Sequence, residues 1–173
     1  MPDFPNYGSF ADHAEDSFIS SSSALTGLFR GTPTSTAWPS ANRAIFVPVR
    51  VSSRVMVYKM GIGAGATATG NFDVGIYDSQ GVRLVSSGAT AKGTSTEHIL
   101  DVTDTRIGPG LYYLALAANG TNNYIMATAA SVQFARLFGI LQMASAYTLP
   151  TTATFAAVSA ANIPFIIAYT RRF

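Results

Sequence analysis

The sequence predicts an all-β protein: an antiparallel β-sandwich, jelly-roll-like, preceded by an extended N-terminal arm. Three observations predict it. Short apolar segments recur with a period of two, the spacing of a strand with one buried face. Glycine, proline, asparagine and aspartate cluster between these segments, as turns require. Segments with helical periodicity are few, which leaves a sandwich or barrel of short strands.

Residues 1–42 read as the arm and residues 43–173 as the sandwich domain. Pro2, Pro5, Pro33 and Pro39 punctuate the arm, and Ser20-Ser21-Ser22-Ser23 is of low complexity. Disordered tails are poor in aromatics, whereas this segment carries Phe4, Tyr7, Phe10, Phe18, Phe29 and Trp38. The arm is therefore expected to lie ordered against an apolar surface, with these six aromatics as the assembly contacts. A short helix over residues 9–18 is one option within it.

The strands follow in quick succession. Residues 44–51 place Ile45, Val47, Val49 and Val51 on one face, and Pro48, which has no amide to donate, points to an edge or a bulge. Residues 54–62 set Val55 and Val57 against Met56, Tyr58 and Met60, and residues 61–70 read as a Gly/Ala/Thr loop. Residues 71–87 form a β-hairpin around Asp78-Ser79-Gln80-Gly81. Residues 97–102 put His98, Leu100 and Val102 on one face, and residues 101–110 read as a turn ending in Gly108-Pro109-Gly110. Residues 111–118 are apolar on both faces, as a central strand is. Strands over 124–128 and 163–170 complete the domain; residues 130–160, rich in Ala, Thr and Ser, take no assignment.

Composition narrows the function. The 173 residues can bury a core without disulfides or metals. The absence of cysteine excludes thiol chemistry and suits any redox compartment. Hydrophobic residues make up 48% and charged ones 12%, against a charged share of about 25% in typical soluble domains. Coverage by other subunits is the favoured explanation, because exposed apolar surfaces associate. A net charge of +2 without clustered Lys and Arg does not suit nucleic acid. No run is long and apolar enough to span a bilayer, and the acidic, core-less N-terminus predicts no signal peptide. Residues 1–29 carry Asp3, Asp12, Glu15 and Asp16 and no lysine or arginine; Arg30, Arg43, Arg50, Arg54 and Lys59 follow before the next acid, Asp73. That order suits docking of an acidic arm on basic strands of the same or an adjacent subunit.

No motif points to catalysis or to a cofactor. Gly61-Ile62-Gly63-Ala64-Gly65-Ala66 has dinucleotide-like glycines but no helix start beyond them to hold a pyrophosphate. His98 lies near Glu97, Asp101 and Asp104, yet the other histidine, His13, is far off in the arm. Asp73, Asp78, Asp101 and Asp104 match no calcium-loop spacing, and turn formation explains the last three. Tyr58, Tyr77, Tyr112, Tyr124 and Tyr147 would stack on sugars only if they shared one exposed face; packing is the plainer role. Asn119-Gly120-Thr121 is a formal glycosylation sequon that reads as a turn. No catalytic, cofactor-binding or metal residue is expected.

One pattern carries a resemblance. Asn42-Arg43 leads into Ile45-Phe46-Val47-Pro48; Phe72-Asp73-Val74-Gly75-Ile76-Tyr77-Asp78 follows with Gly81; then comes Gly108-Pro109-Gly110-Leu111-Tyr112-Tyr113-Leu114-Ala115. This stretch, less than half of the chain, resembles a β-sandwich module of tailed-bacteriophage structural proteins: virion fibres, tail proteins and capsid decoration proteins. The resemblance implies a non-enzymatic virion protein that serves in assembly or host-surface binding. A short chain without coiled-coil heptads or fibre repeats puts a capsid decoration (cement) protein first and a tail-fibre or head-fibre protein second, read as a homotrimer partnered by the major capsid protein or tail components. A module binding host-surface glycans is the rival from another class.

Overall fold

The computed structural model describes residues 16–21, 33–94 and 97–172. In chain order the elements are β1 (Asp16–Ser20), β2 (Thr34–Ala37), β3 (Arg43–Val51), β4 (Val55–Gly63), β5 (Asn71–Asp78), β6 (Arg83–Ser86) and β7 (Thr90–Ala91). There follow β8 (Glu97–Ile107), β9 (Gly110–Ala118), β10 (Asn123–Thr128), α1 (Val132–Leu137), β11 (Leu141–Met143), β12 (Ala156–Ala157), β13 (Asn162–Pro164) and β14 (Ile166–Arg171). The larger sheet runs β12-β11-β3-β9-β5-β6, with β7 also paired to β5; a second runs β1-β14-β4-β8, and a third β13-β10-β2. Neighbours are antiparallel throughout. From β3 to β5, and again from β7 to β9, the chain crosses between the two main sheets and back. The protein is an all-β antiparallel sandwich.

The main core lies between those sheets. β9 pairs Leu114 with Val47 of β3 and Ile76 of β5, and Leu116 with Ile45 and Val74. These side chains meet Val57, Met60 and Ile62 of β4 and Ile166 and Ala168 of β14 in one cluster, closed by Trp38, Phe72 and Tyr124. A second cluster sits on the opposite face of the larger sheet. There Ala44, Phe46, Tyr77, Ala115 and Ala117 are covered by Ala146, Leu149 and Ala153, with Phe155 against them. The larger sheet is thus buried on both sides, which is why residues 111–118 are apolar on both faces.

Several expectations are corrected, each for a physical reason. Met60 was placed opposite Val55 and Val57; it is fully buried with them. The register slips between Val57 and Lys59 against β8, and this bulge turns the following residues over. The glycines of 61–70 do not all lie in a loop: Gly61–Gly63 belong to β4, and Ala64 bridges to Tyr124. A Cβ on Gly63 would lie 2.7 Å from Ile125, and one on Gly65 would lie 2.8 Å from the Asn123 backbone. These glycines let β4 and its extension close against β10. Residues 101–107 are not a turn but the second half of β8, where Thr105 pairs with Val57 and Ile107 with Val55. The last strand is two: β13 joins β10, the chain switches sheets at Phe165, and β14 runs between β1 and β4. The unassigned 130–160 supplies α1, β11, β12 and the outer cover.

The expected arm is partly built into the sandwich. Residues 16–20 pair with β14 and residues 34–37 with β10. Of the helix considered over 9–18, residues 16–18 are strand and the rest lies outside the described residues. Pro48 meets its edge expectation in part, since β11 covers β3 only from Ala44 to Phe46 and leaves one side of Pro48 without a strand.

Candidate functional site

The six aromatics expected at assembly contacts divide three ways. Phe4, Tyr7, Phe10 and Phe29 lie outside the described residues. Phe18 sits on the edge strand β1 opposite Tyr169 and is 66% exposed. Trp38 is in this chain's own core, its indole N–H donating to the Arg43 carbonyl at 3.0 Å and its ring meeting Tyr124 edge-on at 5.3 Å. Its surface is spent inside the domain and is not available to a second subunit.

The polar candidates are held apart, each by local partners. His98 Nε2 accepts the Gly93 amide at 3.0 Å and its ring meets Phe72 edge-on. Burial, and then the Lys92 charge, hold its pKa below the usual imidazole value. Asp73 is fully buried and accepts from the Leu149 amide at 3.0 Å and the Ser87 hydroxyl at 3.3 Å. Asp78 accepts the amides of Gln80 and Val82 and so shapes the hairpin turn. Asp101 pairs with Lys59 at 3.7 Å and Asp104 with Arg171 at 2.7 Å. The five tyrosines share no face: Tyr77 is buried in the outer cluster and Tyr124 in the main core.

Lys92 escaped the sequence. It is a buried lysine whose ammonium donates to the carbonyls of Gly65, Thr67 and Gly93. Burial lowers its pKa. The ammonium also lies 5.4 Å from the centre of the Tyr124 ring, and the residue ties the segment after β4 to the approach to β8.

The surface that stands out is built on α1. Ser131 caps this helix, its hydroxyl accepting the Phe134 amide at 3.2 Å. The Arg136 guanidinium donates to the Val158 carbonyl at 2.8 Å, and Gly139 ends the turn with φ +75°. An amphipathic helix normally turns its i, i+3, i+4 apolar stripe inward. In α1 the small Ala135 is the buried residue, while Phe134, Leu137 and Phe138 are 48%, 80% and 43% exposed. Phe134 and Phe138 stack on one another at 6.5 Å. Beside them opens a groove of about 550 Å³ whose lining includes Ile19, Pro48, Val49, Leu111 and Tyr113, with Arg50 among its residues. Arg50 is exposed, and among the described residues no carboxylate pairs with it. The sequence did carry a signal for this surface: Ser131 followed by Phe134, Leu137 and Phe138 is a capped helical stripe, but it spans too few turns to read as a period.

No protein-family model and no curated protein matches the sequence. Among solved structures the chain is similar to "infectious bursal disease virus Gt strain", at 8% identity and a TM-score of 0.39 over 90% of this chain. It is likewise similar to "infectious bursal disease virus VP2 subviral particle", at 10% identity and a TM-score of 0.39 over 90% of this chain. The chain spans 40% of the length of each of those proteins. A superposition this loose carries no argument about function.

Proposed function

We propose that this chain is a non-enzymatic structural protein of a bacteriophage particle, a decoration protein that binds an assembled capsid as a homotrimer and stabilises it through subunit contacts. The observation that carries the reading is the inverted helix α1, which turns Phe134, Leu137 and Phe138 away from the core beside a groove of mixed polar and apolar lining. Apolar area removed from water contributes about 25 cal/mol per Å², so a patch repeated on every copy adds up over a lattice. The sandwich supplies the rigid frame, and the aromatics of residues 1–32 (Phe4, Tyr7, Phe10, Phe18 and Phe29) supply further contact area. The resemblance of residues 42–119 to phage virion modules supplies the setting. A mixture of the purified chain with capsids assembled without it tests the reading. Co-sedimentation should saturate at a fixed ratio to capsid subunits. Absence of binding to capsids, together with binding to tails or to host cells, would place the chain among fibre or glycan-binding proteins instead.

A further inference from the structure

We propose that residues 92–94 are an acid-released clasp: protonation of His98 frees them from residues 64–70 while the sandwich stays folded. The inference is independent of the assembly reading above. Two side chains grip the segment through Gly93. His98 Nε2 accepts the Gly93 amide at 3.0 Å, and the Lys92 ammonium donates to the Gly93 carbonyl at 3.3 Å. The same ammonium donates to the carbonyls of Gly65, at 3.3 Å, and Thr67, and the Lys92 amide donates to the Gly70 carbonyl at 3.0 Å. Residues 64–70 have anchors of their own. The Gly65 amide donates to the Asn123 carbonyl, the Ala66 amide to the Ser35 hydroxyl and the Asn123 amide to the Thr67 hydroxyl, each at 2.9 Å. Just before the clasp, β7 is paired to β5. The part free to move is therefore 92–94.

This grip requires a neutral imidazole, because only an unprotonated ring nitrogen accepts an amide. Protonation turns Nε2 into a donor facing the Gly93 N–H and sets a positive ring near the Lys92 ammonium. The surrounding elements do little to hold that charge. On β5, Phe72 meets the ring edge-on at 5.1 Å, and Asp73 turns to the other face of its sheet, toward Leu149. On β4 the opposite residue is Ile62. On β10, Tyr124 is buried, and burial raises its pKa so that the phenol stays neutral. On β8 itself, Glu97 is exposed and alternates to the other face of the strand. Burial and the Lys92 charge accordingly hold the His98 pKa below its usual value. Release of the clasp lets both cations reach water. By linkage the grip is complete above the unfolded value of about 6.5 and weakens as pH falls.

Amide hydrogen exchange on the full chain tests this, with protection taken relative to the unfolded chain at each pH. From about pH 7.5 to about pH 5, the amides of both Lys92 and Gly93 should lose protection by about fivefold or more, one proton allowing at most about tenfold per pH unit. Urea below the unfolding transition should leave their exchange nearly unchanged, as for a local opening, while it speeds exchange of the β9 amides. His98→Gln keeps an acceptor for the Gly93 amide and does not titrate, so its protection at both positions should stay level over the same range. A fall at Gly93 alone would show that one bond breaks and the clasp holds, which overturns the proposal. A urea response at Lys92 and Gly93 equal to that of β9 would overturn it as well, since the opening would then be global. So would an undiminished fall in His98→Gln, which would assign the effect to another group.

Discussion

The amide of Leu149 donates to the carboxylate of Asp73 across 3.0 Å, and that bond ties the outer cover to β5 of the larger sheet. It does not act alone. The Tyr77 hydroxyl donates to the Pro150 carbonyl at 2.6 Å, the Arg83 guanidinium donates to the Leu149 carbonyl, and Thr152 bridges to Val82. Residues 146–153 are thereby held over Phe46, Tyr77 and Ala115, and the outer face of the sheet is closed. The apolar side chains of α1 remain on the surface beside this closed face.

Asp73 should make stability depend on pH. Burial dominates its surroundings and raises its pKa above the usual carboxylate value, despite bonds from Leu149 and Ser87 and the charge of Arg83. The folded state therefore holds the proton more tightly than the unfolded one. Its contribution is complete below the unfolded value of about 3.9 and is lost as pH rises through the raised folded value. Compared with Asp73→Asn, which cannot titrate there, the parent should lose stability as pH rises above about 4. Denaturant midpoints for both proteins across that range check this; parallel curves would contradict it. Asp73→Leu strands the buried Leu149 amide and should cost about 1–3 kcal/mol.

His98 should act in the opposite direction. Its Nε2 accepts the Gly93 amide, which only the neutral ring can do. Its lowered pKa means that this contribution is present above the unfolded value of about 6.5 and is lost as pH falls through the folded value. Compared with His98→Gln, the parent should lose stability, read as melting temperature, as pH falls below about 6.5. His98→Gln keeps an acceptor without the titration and should show a smaller fall; equal slopes would show that His98 is not the group responsible.

Two core positions test the register. Ile76 is buried on β5 between β9 and β6, and Ile76→Ala should cost about 2–5 kcal/mol in chemical unfolding. Gly65→Ala puts a Cβ against the Asn123 backbone and the Ser35 hydroxyl and should cost about 1–3 kcal/mol. A Gly65→Ala protein as stable as the parent would show that the end of β4 does not close on β10 as described.

What the sequence made legible follows from how each strand is buried. Ile45, Val47, Val49 and Val51 alternate because β3 has a distinct core face, and residues 71–87 announce their turn through Asp78 and Gly81. Met60 was misplaced because the bulge that turns it inward arises from pairing with β8, which local alternation does not record. Asp101 and Asp104 suggested a turn, yet they sit on an edge strand, where outward charges guard against unwanted pairing. Lys92 reads as a surface residue, since nothing local foretells three carbonyls around its ammonium. The aromatic content of the first 42 residues was plain, but that Trp38 belongs inside the domain depends on Tyr124, far along the chain.

Leu137→Asp separates the surface from the fold. The side chain is 80% exposed, so unfolding free energy should change by no more than about 0.5 kcal/mol. Affinity for capsids in co-sedimentation should fall at least tenfold, the equivalent of about 1.4 kcal/mol. A variant that folds normally and still binds at full occupancy would show that α1 is not part of the contact.

The central claim is most directly tested by imaging the particle encoded with this chain at a resolution that traces strands. The account predicts density for the sandwich on the capsid exterior, at positions repeated by the lattice and grouped in threes, with α1 facing an adjoining copy. Density for the chain in a tail or fibre, with a bare capsid surface, would contradict it.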